Sequence, residues 1–525
     1  QLARAYQNSG QPALAVETLG QLQERYPDSR LNGDAHFRRA ELLFRLGRYA
    51  EAEGEYATVM KLGNATPFFV PAQYKYGWTL FKQSRFDEAL PVFFAILDRD
   101  LPPGEPKDVD AALKAVDKGK ADLAKDSLRV TSLTFAVQGG GAAINQYFSH
   151  NPEPRFYPLV YTALGEMLLD KRRFSDSADA FAAFIERHPQ HASAPQFQSR
   201  VIAVYREGGF NDLVVREKER YVNTYAPGTP YWSGAAPTPE VMTALRGHLE
   251  DLGKHYQALA QKLQQANGAD AADVREAYLA AAGWYRRTLE IFPDDVRAPE
   301  INYLLAESLE DGGQLQAAAT EYTRTSYGYH MHERSLDAAW AAVLAYHRDA
   351  DQQPTSSRAQ VLRQAVDASL KMVDTYPTHP QALVALTQTA QDLYALKDPQ
   401  AVSVAQRVLA FKPAPSTAQR RVVQGVLGDS YLAQGDFPQA ESAYADLLKL
   451  TPAGDPQRPQ VVEQLAAAIY KQAEAARSVG DLRAAANGFL RVSQVTPDAS
   501  IRATADYDAG AALVGLSAWA EAETV

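Results

Sequence analysis

The segment YGYHMHER at 327–334 places His330, His332 and Glu333 within four residues, the densest grouping of metal-capable side chains in the chain. His-x-His can chelate a metal from a strand, where alternate side chains share a face; in a helix or turn the two rings diverge. Neither HExxH nor an evident third ligand accompanies them. The HPQH of 188–191 falls where a turn is expected, and its histidines read as structural. GGG at 139–141 invites a phosphate-loop reading, but no Gly-Lys-Ser/Thr follows at the required spacing, so a joint or helix-breaking turn is expected there. A Gly-x-Ser-x-Gly elbow, a dinucleotide fingerprint and a calcium loop are also missing, and no carboxylates pair at catalytic spacing. The sequence therefore predicts no catalytic residue, no metal site and no cofactor.

Composition narrows the choice further. The 525 residues carry a formal charge of −10 and are 46% hydrophobic and 22% charged, which are globular values for a chain too long for one core. Net acidity without clustered Lys and Arg argues against nucleic acid. There is no cysteine, which removes disulfides, thiol nucleophiles and cysteine-based zinc sites and suits an oxidising compartment such as a periplasm. The longest apolar run, Leu90 to Leu97, is too short to cross a bilayer. Gln1 lies inside a helical pattern, so a targeting peptide or lipid anchor would precede it.

The strongest signal is a sentence the chain repeats. GRYAEAEGEYATVMKLG at 47–63 and GDFPQAESAYADLLKLTP at 435–452 share a turn, an aromatic, a small residue three later and a large apolar residue four further on. The pairs Pro12/Ala15, Tyr49/Ala52, Phe86/Ala89, Phe174/Ser177, Leu315/Ala318, Phe437/Ala440, Leu482/Ala485 and Trp519/Ala522 fit, with Phe210/Leu213 a degraded member. Leu19, Tyr56, Phe93, Phe181, Tyr322, Tyr444 and Phe489 are the large residues. Prolines at 27, 189, 293, 377, 413, 452 and 497 close the second helix. Upstream, Ala40, Gly77, Gly165, Ala306, Gly428 and Gly510 mark a close approach on a first helix, and Gly10, Gly47, Gly313, Gly435 and Gly480 supply the turn. Each unit is a helical hairpin whose apolar face one hairpin cannot bury alone, so the units must stack. Less regular pairs are expected at 242–292, 335–376 and 380–411.

This pattern resembles the tetratricopeptide repeat along nearly the whole chain. The resemblance implies an all-α solenoid, a right-handed superhelix of about 11–12 stacked hairpins. Both ends fall inside a unit without a polar capping helix, so the chain is expected to be truncated at both ends. The domains expected are hairpins over 1–100, a helical insert with a glycine-rich joint over 101–155, and further hairpins over 156–525. The Pro/Gly loop of 223–240 offers Tyr231 and Trp232 either to the scaffold or to a partner.

In this fold the first helix of each hairpin lines the inner groove. An aromatic recurs there at Phe37, Tyr74, Tyr303, Tyr470 and Tyr507, and one turn on come Glu41, Glu166, Glu307, Asp429 and Glu474, with Trp78 replacing the acid once. Either the aromatics wedge between hairpins while the acids stay wet, or the stripe binds a peptide or helical segment carrying Lys or Arg. The acids disfavour the Lys/Arg/Asn clamp of co-chaperones that grip a C-terminal carboxylate. QERYPDSRLNGDAHFRRAELLFRLGRYAEAEGEY (23–56) and FIERHPQHASAPQFQ (184–198) resemble bacterial envelope members of the family, including the barrel-assembly lipoprotein and the Tol–Pal coordinator. DSLRVTSLTFAVQGGGAAINQYF (126–148) is similar to long periplasmic members of energised complexes. The resemblance implies a non-catalytic adaptor in the periplasm, any outer-membrane anchor lying in residues before Gln1. The alternatives are a cytoplasmic scaffold or co-chaperone, or the platform region of a larger enzyme.

Overall fold

A computed structural model of the chain describes residues 1–106, 109–266 and 270–525. Lys107 and Asp108, at the head of the expected helical insert, and residues 267–269, within the expected pair at 242–292, lie outside the described residues. Among the described residues there are 27 α-helices and no strand. No helix among them is long and apolar enough to cross a membrane. Contacts divide the chain into two units, 1–248 and 249–525.

In each unit successive helices pack as antiparallel hairpins, and the repeated residues explain why. Gly165 on helix Tyr157–Asp170 faces Phe181 on helix Phe174–Arg187, where a Cβ would come within 2.5 Å of the Phe181 ring. Gly428 meets Tyr444 at the same 2.5 Å, and Gly77 meets Phe93 at 2.9 Å. The small residue therefore lets the two backbones close on a ring. Tyr56, Phe93, Phe181, Tyr322, Tyr444 and Phe489 are all buried, and each contributes about 2–3 kcal/mol of apolar transfer, an upper figure against an extended chain.

The turns inside hairpins carry one left-handed residue. Gly435 has φ of 80°, and its neighbours close the helix with Asp436 N–H on the Tyr431 carbonyl at 2.9 Å. Four turns do the same without glycine, at Ser84, Arg172, Lys397 and Ser517, each at about 1 kcal/mol of steric cost. Every closing proline follows the helix it was expected to end. Helix Ala271–Ile291 stops two residues before Pro293, and Leu482–Val495 two before Pro497.

The three expected irregular pairs are helical. Helix Pro239–Gln265 precedes Ala271–Ile291, Ser335–Gln352 pairs with Thr355–Thr375, and Ala382–Ala395 pairs with Gln400–Ala410. Within 101–155, helix Lys118–Gln138 packs on Phe86–Asp100 and Tyr157–Asp170, while Gly141–His150 packs on Phe174–Arg187. Gly139 and Gly140 take φ of 121° and 74° and break the chain between these two helices. Gly141 then lies so close to helix Phe174–Arg187 that a Cβ would sit 2.8 Å from the Asp179 carbonyl oxygen. The triplet is a turn followed by a close helix contact.

Candidate functional site

Three histidines of these groupings, His332, His191 and His188, are held by the fold, while His330 is exposed. His332 Nε2 binds the Thr325 carbonyl at 2.9 Å, and its Nδ1 accepts the Arg334 N–H at 3.2 Å, so both ring nitrogens are engaged by backbone. His191 accepts the Ser193 N–H at 3.0 Å and approaches Glu105 at 3.1 Å. His188 lies 3.3 Å from Glu153 and packs on Tyr157, and burial lowers its pKa. Tyr231 and Trp232 turn back onto the scaffold. The Tyr231 hydroxyl donates to the His191 carbonyl at 2.7 Å, and Trp232 Nε1–H donates to the Tyr225 carbonyl at 2.9 Å.

Four of the five first-helix aromatics are wedges. Phe37 stacks on Phe68 at 5.1 Å and meets Tyr56 edge-on. Tyr74 meets Phe93 at 6.2 Å and donates its hydroxyl to Asp126. Tyr303 lies edge-on to Tyr322 at 5.4 Å, with the Arg334 guanidinium 5.0 Å from its ring. Tyr470 tilts on Phe489 at 5.0 Å, and its hydroxyl donates to Asp508, which together with burial pushes its pKa up to about 12. Tyr507 differs: it is 77% exposed.

The acids divide by the ring of their own hairpin. Where the second helix supplies a tyrosine, the acid after the small residue accepts its hydroxyl: Tyr56 donates to Glu41, and Tyr444 donates to Asp429 at 2.5 Å. A buried phenol needs an acceptor, so these two acids have a structural task that spacing alone did not reveal. The signal was present in the sequence, since both acids belong to hairpins whose ring is Tyr. Where the ring is Phe, the position is occupied differently. Glu166 pairs with Arg200 at 3.1 Å, and Glu474 with Lys471 at 2.7 Å. Trp78, opposite Phe93, has the Arg129 guanidinium 5.5 Å from its ring. Tyr322 is the exception, because its hydroxyl goes one turn further, to Glu310 at 2.8 Å. Glu307 is left without a hydrogen bond or ion pair among the described residues. Burial raises its pKa, Asp311 and Glu310 add to that, and Arg334 opposes it.

Sequence reasoning missed a hollow of about 650 Å³ in the second unit, lined by Gln391, Tyr394, Arg421, Asp429, Asp455 and Gln464 among others. These residues come from helices Ala382–Ala395, Thr417–Gln434 and Arg458–Ser478 and the turn before the last of these, so three successive first helices build one wall. Arg421 and Asp455 neutralise each other at 2.7 Å. Asp429 accepts Gln464 Nε2–H at 3.1 Å besides Tyr444, and it makes no ion pair among the described residues. Burial raises its pKa against the hydrogen bonds from Tyr444 and Tyr394. The wall thus presents an acid held in place by hydroxyl and amide donors but not neutralised.

Also unforeseen is the bridge between helices Ser335–Gln352 and Ala382–Ala395. His347 Nε2 lies 2.9 Å from Asp392 and Nδ1 2.8 Å from the Val343 carbonyl. Burial lowers the His347 pKa, but these hydrogen bonds and the charges of Asp392 and Asp351 outweigh it, and the net shift is upward. A raised folded-state pKa stabilises fully below the unfolded value of about 6.5 and is lost as pH rises through the folded value. His347→Gln is therefore expected to weaken hydrogen-exchange protection of these two helices at pH 6, by on the order of 1 kcal/mol, and much less at pH 9. An equal loss at both values would show that the imidazole is neutral.

A tetratricopeptide repeat family model matches residues 1–67 and 426–468. No curated protein sequence matches the chain. Among solved structures, the C-terminal part of a TPR repeat-containing protein from Cytophaga hutchinsonii is 14% identical, covering 57% of this chain and 98% of that one, with a TM-score of 0.27. The P58(IPK) TPR domain is 12% identical, with coverages of 90% and 97% and a TM-score of 0.21. A human IFIT1 dimer with m7Gppp-AAAA is 13% identical, with coverages of 95% and 94% and a TM-score of 0.24. Repeats of this kind indicate a protein–protein interaction scaffold, and folds built from them are typically non-catalytic. With its hairpins stacked on small residues and buried rings, the chain is a helical-repeat protein that matches the tetratricopeptide repeat over residues 1–67 and 426–468.

Proposed function

We propose that the protein is a non-catalytic adaptor in a bacterial envelope complex, and that it holds a cationic segment of a partner against its first helices. The observation that carries the reading is Asp429: a carboxylate fixed by Tyr444 and Gln464 on the wall of a 650 Å³ hollow, with no cation paired to it among the described residues. A lysine or arginine from a partner would supply the missing charge, and Gln391 and Gln464 can both donate to and accept from a peptide backbone. Glu307, likewise without an ion pair among the described residues, extends the same preference to the preceding hairpins. The absence of cysteine and the likeness of 23–56 and 184–198 to envelope members support the periplasm as its location.

The reading is tested by hydrogen exchange on the chain loaded with its partner from an envelope fraction. Added protection is expected in helices Ala382–Ala395, Thr417–Gln434 and Arg458–Ser478. Protection confined to the second helices of these hairpins would contradict it. Fractionation of cells expressing the full-length gene tests the compartment, and recovery in the cytoplasm would overturn it.

A further inference from the structure

Helix Ala382–Ala395 borders a second and larger hollow, of about 800 Å³, between itself and the hairpin Ser335–Thr375. Ser335–Gln352 and Thr355–Thr375 have 18 and 21 residues, whereas Ala382–Ala395 and Gln400–Ala410 have 14 and 11. Trp340, Leu344, Leu362, Val384 and Leu396 are left lining the gap. The charged groups on its wall are already matched: His347 with Asp392 at 2.9 Å, and Arg358 with Asp351 at 3.0 Å. An ion entering here would lose water and find no free counter-charge. An uncharged apolar side chain would lose nothing and cover exposed carbon.

The two hollows use neighbouring faces of one helix. Val384, Gln388, Asp392 and Ala395 line the larger, and Gln391 and Tyr394 the smaller. Around a helix about 10 Å across, their centres are separated by roughly 10–15 Å, which an extended chain crosses in about three to five residues.

We infer that this helix is the crossing point for a bipartite partner segment, with an uncharged apolar anchor in the Trp340 cleft and a basic residue about three to five positions away at Asp429. The inference rests on the groove reading above and adds the second contact, its chemistry and the spacing.

The test uses the full chain and four end-blocked fluorescent peptides. One carries a Leu-Phe pair and two lysines separated by four Gly/Ser residues. Two others lack either the apolar pair or the lysines, and the fourth has a twelve-residue spacer. The first is expected to bind at least tenfold tighter than the two incomplete peptides and about fivefold tighter than the long-spacer one. Val384→Glu, at a position 46% exposed and so tolerant of change, should reduce it to the level of the lysine-only peptide. Asp429→Asn, which keeps an acceptor for Tyr444, should reduce it to the level of the apolar-only peptide. If Val384→Glu has no effect while Asp429→Asn still weakens binding, the bipartite inference is wrong and the groove reading stands. If Asp429→Asn has no effect, the groove reading fails and the inference fails with it. Equal affinity for the short and long spacers, or no binding by the first peptide at millimolar concentration, also overturns the inference.

Discussion

Ala440→Asp is expected to unfold the hairpin at 417–450 and to loosen the hairpins beside it. Ala440 is 0% exposed and belongs to a cluster with Tyr444, Leu447, Leu465, Ile469 and Phe489. A carboxylate placed there has an apolar surround and no cation, at about 3–5 kcal/mol. Because each hairpin buries its face only against its neighbours, the damage spreads along the stack before it reaches the ends. Hydrogen exchange resolved by helix should show lost protection from about 382 to 495. Ala484→Asp is the control: that residue is exposed in the first turn of its helix, where a negative charge is favoured. Its melting temperature should stay within about a degree of the parent. If Ala440→Asp does the same, Ala440 is not at the crossing.

The same substitution at two equivalent glycines is expected to have opposite signs. Gly165→Ala drives a methyl to 2.5 Å from Phe181, a buried ring with no room to swing, and should destabilise by about 1–3 kcal/mol. Gly510→Ala meets nothing within 4 Å and removes a flexible residue from helix Arg502–Gly515, a gain of about 0.5–1 kcal/mol. Denaturant titration of both variants checks the pair. A gain at Gly165 would mean that the ring is free to move.

These two predictions could be written because the hairpin was legible in the sequence. A small residue on one helix and a ring on the next, in phase, dictate their own contact at Gly77, Gly165 and Gly428, though not at Gly510, where the expected close approach does not occur. A proline fixes where the second helix stops. What was hidden followed from groups that share no spacing rule. Ser84, Arg172, Lys397 and Ser517 take the left-handed turn that glycine marks elsewhere; the surrounding packing holds them there, and nothing in their residue types announces it. The helices at 118–150 lack the small-and-aromatic phase and read as an interruption, yet they pack between Phe86–Asp100 and the hairpin of 157–187. The acids at 41 and 429 looked free to serve a partner. Their tyrosines were already in the alignment as packing residues, and the hydroxyl's need for an acceptor is legible in the residue type but not in the spacing. The Trp340 cleft is lined by residues of two successive hairpins, and no spacing within either one signals it.

The central claim is that unneutralised carboxylates on the first helices bind a cationic partner segment. Its most direct measurement is the dissociation constant of the captured envelope partner against ionic strength, for the parent and for Glu307→Gln/Asp429→Asn. These neutral replacements retain the side-chain shapes and an acceptor for Tyr444. The account predicts that the parent loses affinity steeply as salt rises, and that the variant binds at least tenfold more weakly at low salt with a much flatter dependence. Identical affinities and identical salt slopes for the two proteins would contradict it.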